Sequence, residues 1–163
     1  MIFLTVGTIL PFDRLARAVD EWASATGQGR HVFGQLGDLD SDSYRPTSFE
    51  WTERLSPPEF RARIEAADLI VSHAGIGTIL DALTRSKRIV VMARQHAMRE
   101  HVNDHQLQTV ARFADRPGIH VAASETDVGP ALDTALRNPA PEPLPPFAQD
   151  SLIAAIRDVI ARD

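Results

Sequence analysis

Cysteine is absent from the 163 residues, which excludes a disulfide scaffold, a thiolate nucleophile and thiolate-held metals, and is compatible with a reducing compartment. Long apolar runs are absent as well: no stretch approaches the ~20 residues of a membrane-spanning helix. Met1 leads straight into Ile2-Phe3-Leu4-Thr5-Val6, with neither the basic nor the long apolar region of a secretory signal, so the expected location is cytoplasmic. An excess of positive charge is also lacking. The formal net charge is −5 and the pI about 5.6, so the overall field repels polyanions. Without a local basic stripe, nucleic acid is not an expected partner. No HExxH is present, so the histidines give no metal assignment, and no metal is expected. No GxGxxG follows the first apolar run, where Val6-Gly7-Thr8 leads through Ile9-Leu10 to Pro11, which weakens a hydride-transfer reading.

What is present, 44% hydrophobic and 24% charged residues, suits one globular domain. Short apolar runs recur at Ile2–Val6, His31–Gln35, Ser48–Trp51, Asp68–Ser72, Arg88–Ala93 and Ile119–Ala122, and these read as strands. Between them, Phe12, Leu15, Ala16, Val19 and Trp22 have helical spacing. Ser56-Pro57-Pro58-Glu59 reads as a capping box opening a helix with Phe60, Ile64 and Ala67 on its apolar face. Leu107, Val110, Ala111 and Ala114 predict another helix face, and Ala131, Leu132, Ala135 and Leu136 a further one. Leu69-Ile70-Val71 and Ile89-Val90-Val91-Met92 do not alternate, as expected of strands covered on both faces. The predicted fold is α/β: a single Rossmann-like, mainly parallel sheet with helices on both faces. Gly34–Pro46 reads as a polar loop, a functional surface or simply a mobile connection. Residues 1–138 are expected to form the ligand-binding domain and 139–146 a proline-rich spacer. Over 147–163 the pattern predicts a C-terminal helix with Leu152, Ile153, Ile156, Val159 and Ile160 on one face, packing on the domain or on a partner. There is no internal repeat.

Ligands of open parallel sheets bind beyond the carboxyl ends of the strands, which singles out three segments. His73-Ala74-Gly75-Ile76-Gly77-Thr78 lies between a buried strand and a helix. Gly75 and Gly77 allow close approach of a ligand, and the helix N-terminus attracts phosphate. Thr78 can cap that helix or bind a phosphate oxygen, and His73 can donate a ring N–H to a diphosphate. Asp81, one turn further on the same face, is within reach of an attached ribose. Each residue also has an ordinary role open to it: a tight turn, a satisfied strand-end histidine, a solvated acid. Gly7-Thr8 follows the first strand. After the fifth come Arg94, Glu100 and His101 as candidate donor or acceptor contacts, and then Asn103-Asp104-His105-Gln106. The last four can be an N-cap with glutamine three residues on, or Asp104 and Gln106 can bind sugar hydroxyls.

Ala67-Asp68-Leu69-Ile70-Val71-Ser72-His73-Ala74-Gly75-Ile76-Gly77-Thr78, followed by Glu100-His101-Val102-Asn103-Asp104-His105-Gln106, resembles the C-terminal domain of family 28 glycosyltransferases. The resemblance starts at Phe3-Leu4-Thr5-Val6-Gly7-Thr8 and Pro11-Phe12-Asp13-Arg14-Leu15 and covers nearly the whole chain. It is nearest to the stand-alone exopolysaccharide subunits of the PssE type and to the catalytic subunit of the dolichol-linked N-acetylglucosaminyltransferase. The resemblance implies the donor-binding half of a GT-B enzyme. Gly7, Thr8, His73, Gly75, Gly77 and Thr78 would bind the diphosphate of a UDP-sugar, Asp81 the ribose, and Asp104 and Gln106 the donor sugar. Asp81 stands where glutamate is common, the Arg94–Arg99 loop is less lysine-rich than usual, and Ile9-Leu10 replace polar residues. The implied activity is metal-independent, inverting hexosyl transfer to a lipid-linked oligosaccharide in exopolysaccharide or capsule synthesis. No cofactor is implied beyond the UDP-sugar substrate. A membrane-associated, PssD-like partner would supply the acceptor site and hold the chain at the inner face of the membrane. The catalytic base is not assigned. A non-catalytic nucleotide-sugar-binding enhancer is the alternative. An epimerase of the same architecture would need both domains in one chain.

Overall fold

The computed structural model describes residues 1–8 and 10–145. Six strands form one sheet: β1 (Ile2–Thr5), β2 (Val32–Gln35), β3 (Glu50–Thr52), β4 (Leu69–His73), β5 (Arg88–Met92) and β6 (Ile119–Ala122). Every pairing is parallel and the order is β3-β2-β1-β4-β5-β6, the order of the doubly wound nucleotide-binding folds. Among the described residues five α-helices accompany it: α1 (Asp13–Thr26), α2 (Pro57–Ala66), α3 (Ile76–Thr84), α4 (His105–Phe113) and α5 (Val128–Arg137).

The runs without alternation are the central strands, and the sheet shows why they carry apolar residues at every position. Leu4, Leu69, Val71, Val90 and Met92 pack under α1 and α5, with Leu15, Val19, Trp22 and Leu132. Phe3, Ile70, Ile89 and Val91 face the opposite layer, where α2 contributes Ile64 and α3 contributes Ile79, Ala82 and Leu83. Each such side chain, fully buried, contributes about 1.5–3 kcal/mol. The Trp22 indole N–H donates to Asp133 at 2.9 Å and ties α1 to α5. Both halves of the expected capping box are formed at Ser56 and Glu59, and Phe60 and Ile64 of that helix pack on the core.

Two expectations are corrected. The face that α4 turns to the sheet carries Gln106, Val110 and Phe113, whereas Leu107, Ala111 and Ala114 are exposed. Both stripes contain apolar residues, and the choice falls to Gln106, whose side-chain oxygen accepts the Arg94 N–H at 3.0 Å. That bond also excludes the reading of Asn103–Gln106 as a capping box, because Gln106 bonds another loop and Asp104, the N-cap, makes no side-chain cap.

No α-helix joins β2 to β3, and a loop held by Asp20 of α1 takes its place. The buried Asp20 carboxylate accepts from the Tyr44 hydroxyl at 2.7 Å, Thr47 N–H at 3.0 Å and Ser48 N–H at 2.8 Å. Burial pushes this carboxyl up, but those hydrogen bonds outweigh it and hold it below the usual range. After α5, residues 138–145 run without helix or strand, and Leu144 donates its N–H to the Leu83 carbonyl at 2.9 Å. The C-terminal helix expected over 147–163 lies outside the described residues.

Candidate functional site

The strand order brings the first two sequence segments together, because β1 and β4 are neighbours and their carboxyl ends open onto one place. Gly7 follows β1 with φ +88°, a left-handed conformation that side chains rarely adopt, and a Cβ there would stand 3.3 Å from the His73 ring. On the other side, a Cβ on Gly75 would overlap His73 Nε2. The imidazole is thus slotted between two glycines from different loops, and each gives way to the ring. Burial first, then the charge of Arg94, pushes the His73 pKa down to about 4, against a hydrogen bond to the Thr5 backbone. The ring is therefore neutral at pH 7. Its Nδ1 lies 3.4 Å from the Ser72 hydroxyl.

Gly75 is also the N-cap of α3, and no side chain caps that helix. Thr78 is consequently a first-turn residue rather than a cap, and a Cβ on Gly77 would point into open space. Free N–H groups at a helix start favour an anion through both hydrogen bonding and the helix dipole. One turn on, Asp81 accepts from Arg85 at 2.5 Å. Thr8, Thr78, Asp81 and Arg85 all line a cleft of about 550 Å³. Thr5, Gln35, Leu55 and Phe60 line it too, and sequence reasoning did not assign these to the site. The only sequence signal for Thr5 and Gln35 is a polar residue at the last position of a strand. A second cavity of about 580 Å³, lined by Gly29, His31, Ser48 and Arg63, lies at the amino ends of β2 and β3, away from where parallel sheets bind ligands.

The third segment is organised around Arg94. This residue is 3% exposed, and its guanidinium donates to the carbonyls of Val6 at 2.8 Å, Leu10 at 2.7 Å and Pro11 at 2.7 Å, with Glu100 O at 3.3 Å. It lies over the Phe12 ring, 4.7 Å from the centroid. Burial pushes its pKa down to about 10, against the Glu100 charge, so it stays cationic at pH 7. Glu100 accepts twice from Arg14, both at 3.0 Å, and from the Gln95 N–H at 3.0 Å. Arg94 and Glu100, candidate donor or acceptor contacts, serve as struts in the free domain: four carbonyls and an arginine bond them, and they bind the loop after β1 to the loop after β5. Gln106 completes the brace from α4, being 3% exposed. Asp104 is exposed and accepts the His96 N–H at 2.8 Å. His101 packs edge-on to His105 with ring centroids 4.6 Å apart, and its Nδ1 is buried with no partner among the described residues. Burial first, then His105 and Arg94, pushes the His101 pKa down.

These features coincide with similarities to known proteins. The family model described as glycosyltransferase family 28 C-terminal domain matches residues 1–145. The UDP-N-acetylglucosamine transferase subunit ALG13 of Yarrowia lipolytica is 27% identical over 144 residues, covering 79% of this chain and 68% of that protein. The subunit of the same name from Eremothecium gossypii is 31% identical over 109 residues, or 63% of this chain and 51% of that one. Among solved structures, ALG13 in solution superposes with a TM-score of 0.58 at 19% identity, covering 95% of this chain and 93% of that one. The glycotransferase of kitacinnamycin gives 0.58 at 17% identity, over 84% of this chain and 35% of the larger protein. At such identities the structural likeness shows the fold.

Proposed function

The chain belongs to the family of glycosyltransferase family 28 C-terminal domains, and from that premise we propose that it is the donor-binding half of a sugar transferase that uses a UDP-sugar. The observation that carries this reading is the slot at the β1–β4 switch point. A neutral histidine held between Gly7 and Gly75 stands beside the uncapped start of α3, and the cleft next to it holds Asp81. In this reading the diphosphate lies over Gly75–Thr78, and His73 gives it the single ring N–H that the Thr5 backbone holds in the free domain. The ribose reaches Asp81. Donors of this kind, fixed before the reaction, stabilise the charge that grows on the leaving diphosphate. That gives the helix start and His73 the task a metal ion performs in other transferases, so transfer is expected to persist in a chelator.

Part of the proposal concerns what lies opposite. The acceptor, a lipid-linked oligosaccharide of exopolysaccharide or capsule assembly, is presented by a membrane-associated, PssD-like partner. Inversion at the anomeric carbon calls for a base near the acceptor hydroxyl, and this reading puts that base on the partner. The relatives named above are called subunits, which supports a two-part enzyme; the chain spans about a third of the kitacinnamycin glycotransferase. Among the described residues no helix is long and apolar enough to cross a membrane, so in this reading attachment to the inner membrane face is through the partner.

One observation favours the second reading, a nucleotide-sugar-binding enhancer without turnover. The sugar contact expected of Gln106 is weakened, because its oxygen is already bonded to Arg94 N. A single design tests both. Thermal-shift titration with UDP, GDP, UDP-N-acetylglucosamine, UDP-glucose, UDP-galactose and UDP-glucuronate measures donor binding, and transfer of labelled sugar in membrane extracts is measured with and without the co-expressed partner. UDP-sugar binding, with transfer only when the partner is present and lost in His73→Ala, supports the catalytic role. Transfer unaffected by His73→Ala supports the enhancer, and absence of UDP binding refutes both.

A further inference from the structure

Gln35 ends β2 and is 1% exposed, yet half of its amide is unused. Its Oε1 accepts from the Thr5 hydroxyl at 3.0 Å, and Thr5 Oγ1 in turn accepts from Gly7 N–H at 3.5 Å. In this arrangement Thr5 holds the oxygen end of the amide. Its Nε2, with two N–H donors, has no partner among the described residues, and Gln35 and Thr5 both line the 550 Å³ cleft. An amide donor without a partner among the described residues, at the floor of a cleft, fits a group that waits for an acceptor.

The lateral position narrows what that acceptor is. The sheet runs β2-β1-β4 at this point, so Gln35 is two strands from His73, about 10 Å at the usual strand spacing. The phosphate-binding features, His73, Gly75 and the start of α3, all belong to the β4 side. On the Gln35 side the cleft wall is Leu55, Pro57 and Phe60, with Arg61 of the same helix beside them, a mainly apolar wall that suits a ring system. We infer that Gln35, oriented by Thr5, is a nucleoside-recognition residue whose amide N–H groups donate to an uncharged oxygen of the base or ribose of the bound nucleotide. This rests on the donor-nucleotide reading above and adds to it a specificity contact that Thr5 presets.

The test compares UDP with pyrophosphate, by calorimetric titration and by displacement of UDP, on the wild type, Gln35→Met and Gln35→Glu. Gln35→Glu keeps the volume and the acceptor for Thr5, so it carries the test should Gln35→Met not fold. Each folded variant is expected to bind UDP about three- to tenfold more weakly, the scale of one net hydrogen bond, with pyrophosphate affinity unchanged. His73→Ala is the reference that weakens both. Wild-type UDP affinity in folded Gln35→Glu would overturn the inference, as would equal loss for pyrophosphate, which would move the contact to the phosphates. Failure of the wild type to bind UDP at all would instead bring down the donor-nucleotide reading.

Discussion

At the scale of single residues, His73 joins the electrostatics of the site to its chemistry. Its folded pKa of about 4 lies below the ordinary 6.5, so between those values the unfolded chain binds the proton that the native ring refuses. The contribution of His73 to stability is therefore intact above about pH 6.5 and is lost as pH falls towards 4. Denaturant unfolding at intervals across that range should show the wild type losing stability more steeply than His73→Asn. At constant pH, His73→Ala should weaken UDP binding about 10- to 150-fold, the equivalent of about 1.5–3 kcal/mol for a donor to a charged oxygen, while the fold persists. Equal UDP affinities measured by titration would remove His73 from the site.

At the scale of elements, two polar clamps do what a helix or an apolar contact does elsewhere. Asp20 holds the β2–β3 loop in place of a crossover helix, through three hydrogen bonds to one buried carboxylate. Asp20→Ala should cost about 2–4 kcal/mol, the scale of charge-assisted hydrogen bonds lost with buried donors left behind. Limited proteolysis should then cut first within residues 36–49. In the other clamp, Arg94 gathers the carbonyls of the β1–α1 loop, and Gln106 caps its N–H from α4. Gln106→Ala should destabilise by about 1–3 kcal/mol through the orphaned Arg94 N–H, seen as a lower denaturation midpoint with unchanged slope. A loss of UDP-sugar affinity without any loss of stability would return Gln106 to the role of a sugar contact.

For the whole molecule, the sheet order decides what the loops can do together. Because β1 lies between β2 and β4, the polar ends of all three strands, Gln35, Thr5 and His73, open onto one edge as a single polar rim. Filling that rim should stabilise the domain as a unit. UDP at 100 times its dissociation constant is worth about 2.7 kcal/mol, so the melting temperature should rise by roughly 5–10 °C for a domain of this size. A transition that UDP does not move, while the protein remains folded, would count against the cleft as its site.

Local signals along the chain determined the six strands, the proline-opened capping box of α2 and the glycine turn after His73, because each depends on residues a few positions apart. Period, caps and turn residues act within one or two turns of chain. The sequence also determined that Gly7, Thr8, His73, Thr78 and Asp81 share one end of the sheet, since parallel strands put all their carboxyl ends together. Tertiary structure alone decided the rest. Arg14 meets Glu100 across 86 positions and Arg94 meets Val6 across 88, and no local pattern marks such partners. The same holds for Gln106, turned inward over Leu107 by a bond to Arg94, and for Asp20, which the β2–β3 loop closes over. Apolar burial follows periodicity and is legible in order; a buried polar group is placed by whichever distant donor or acceptor satisfies it, and only the folded chain says which that is.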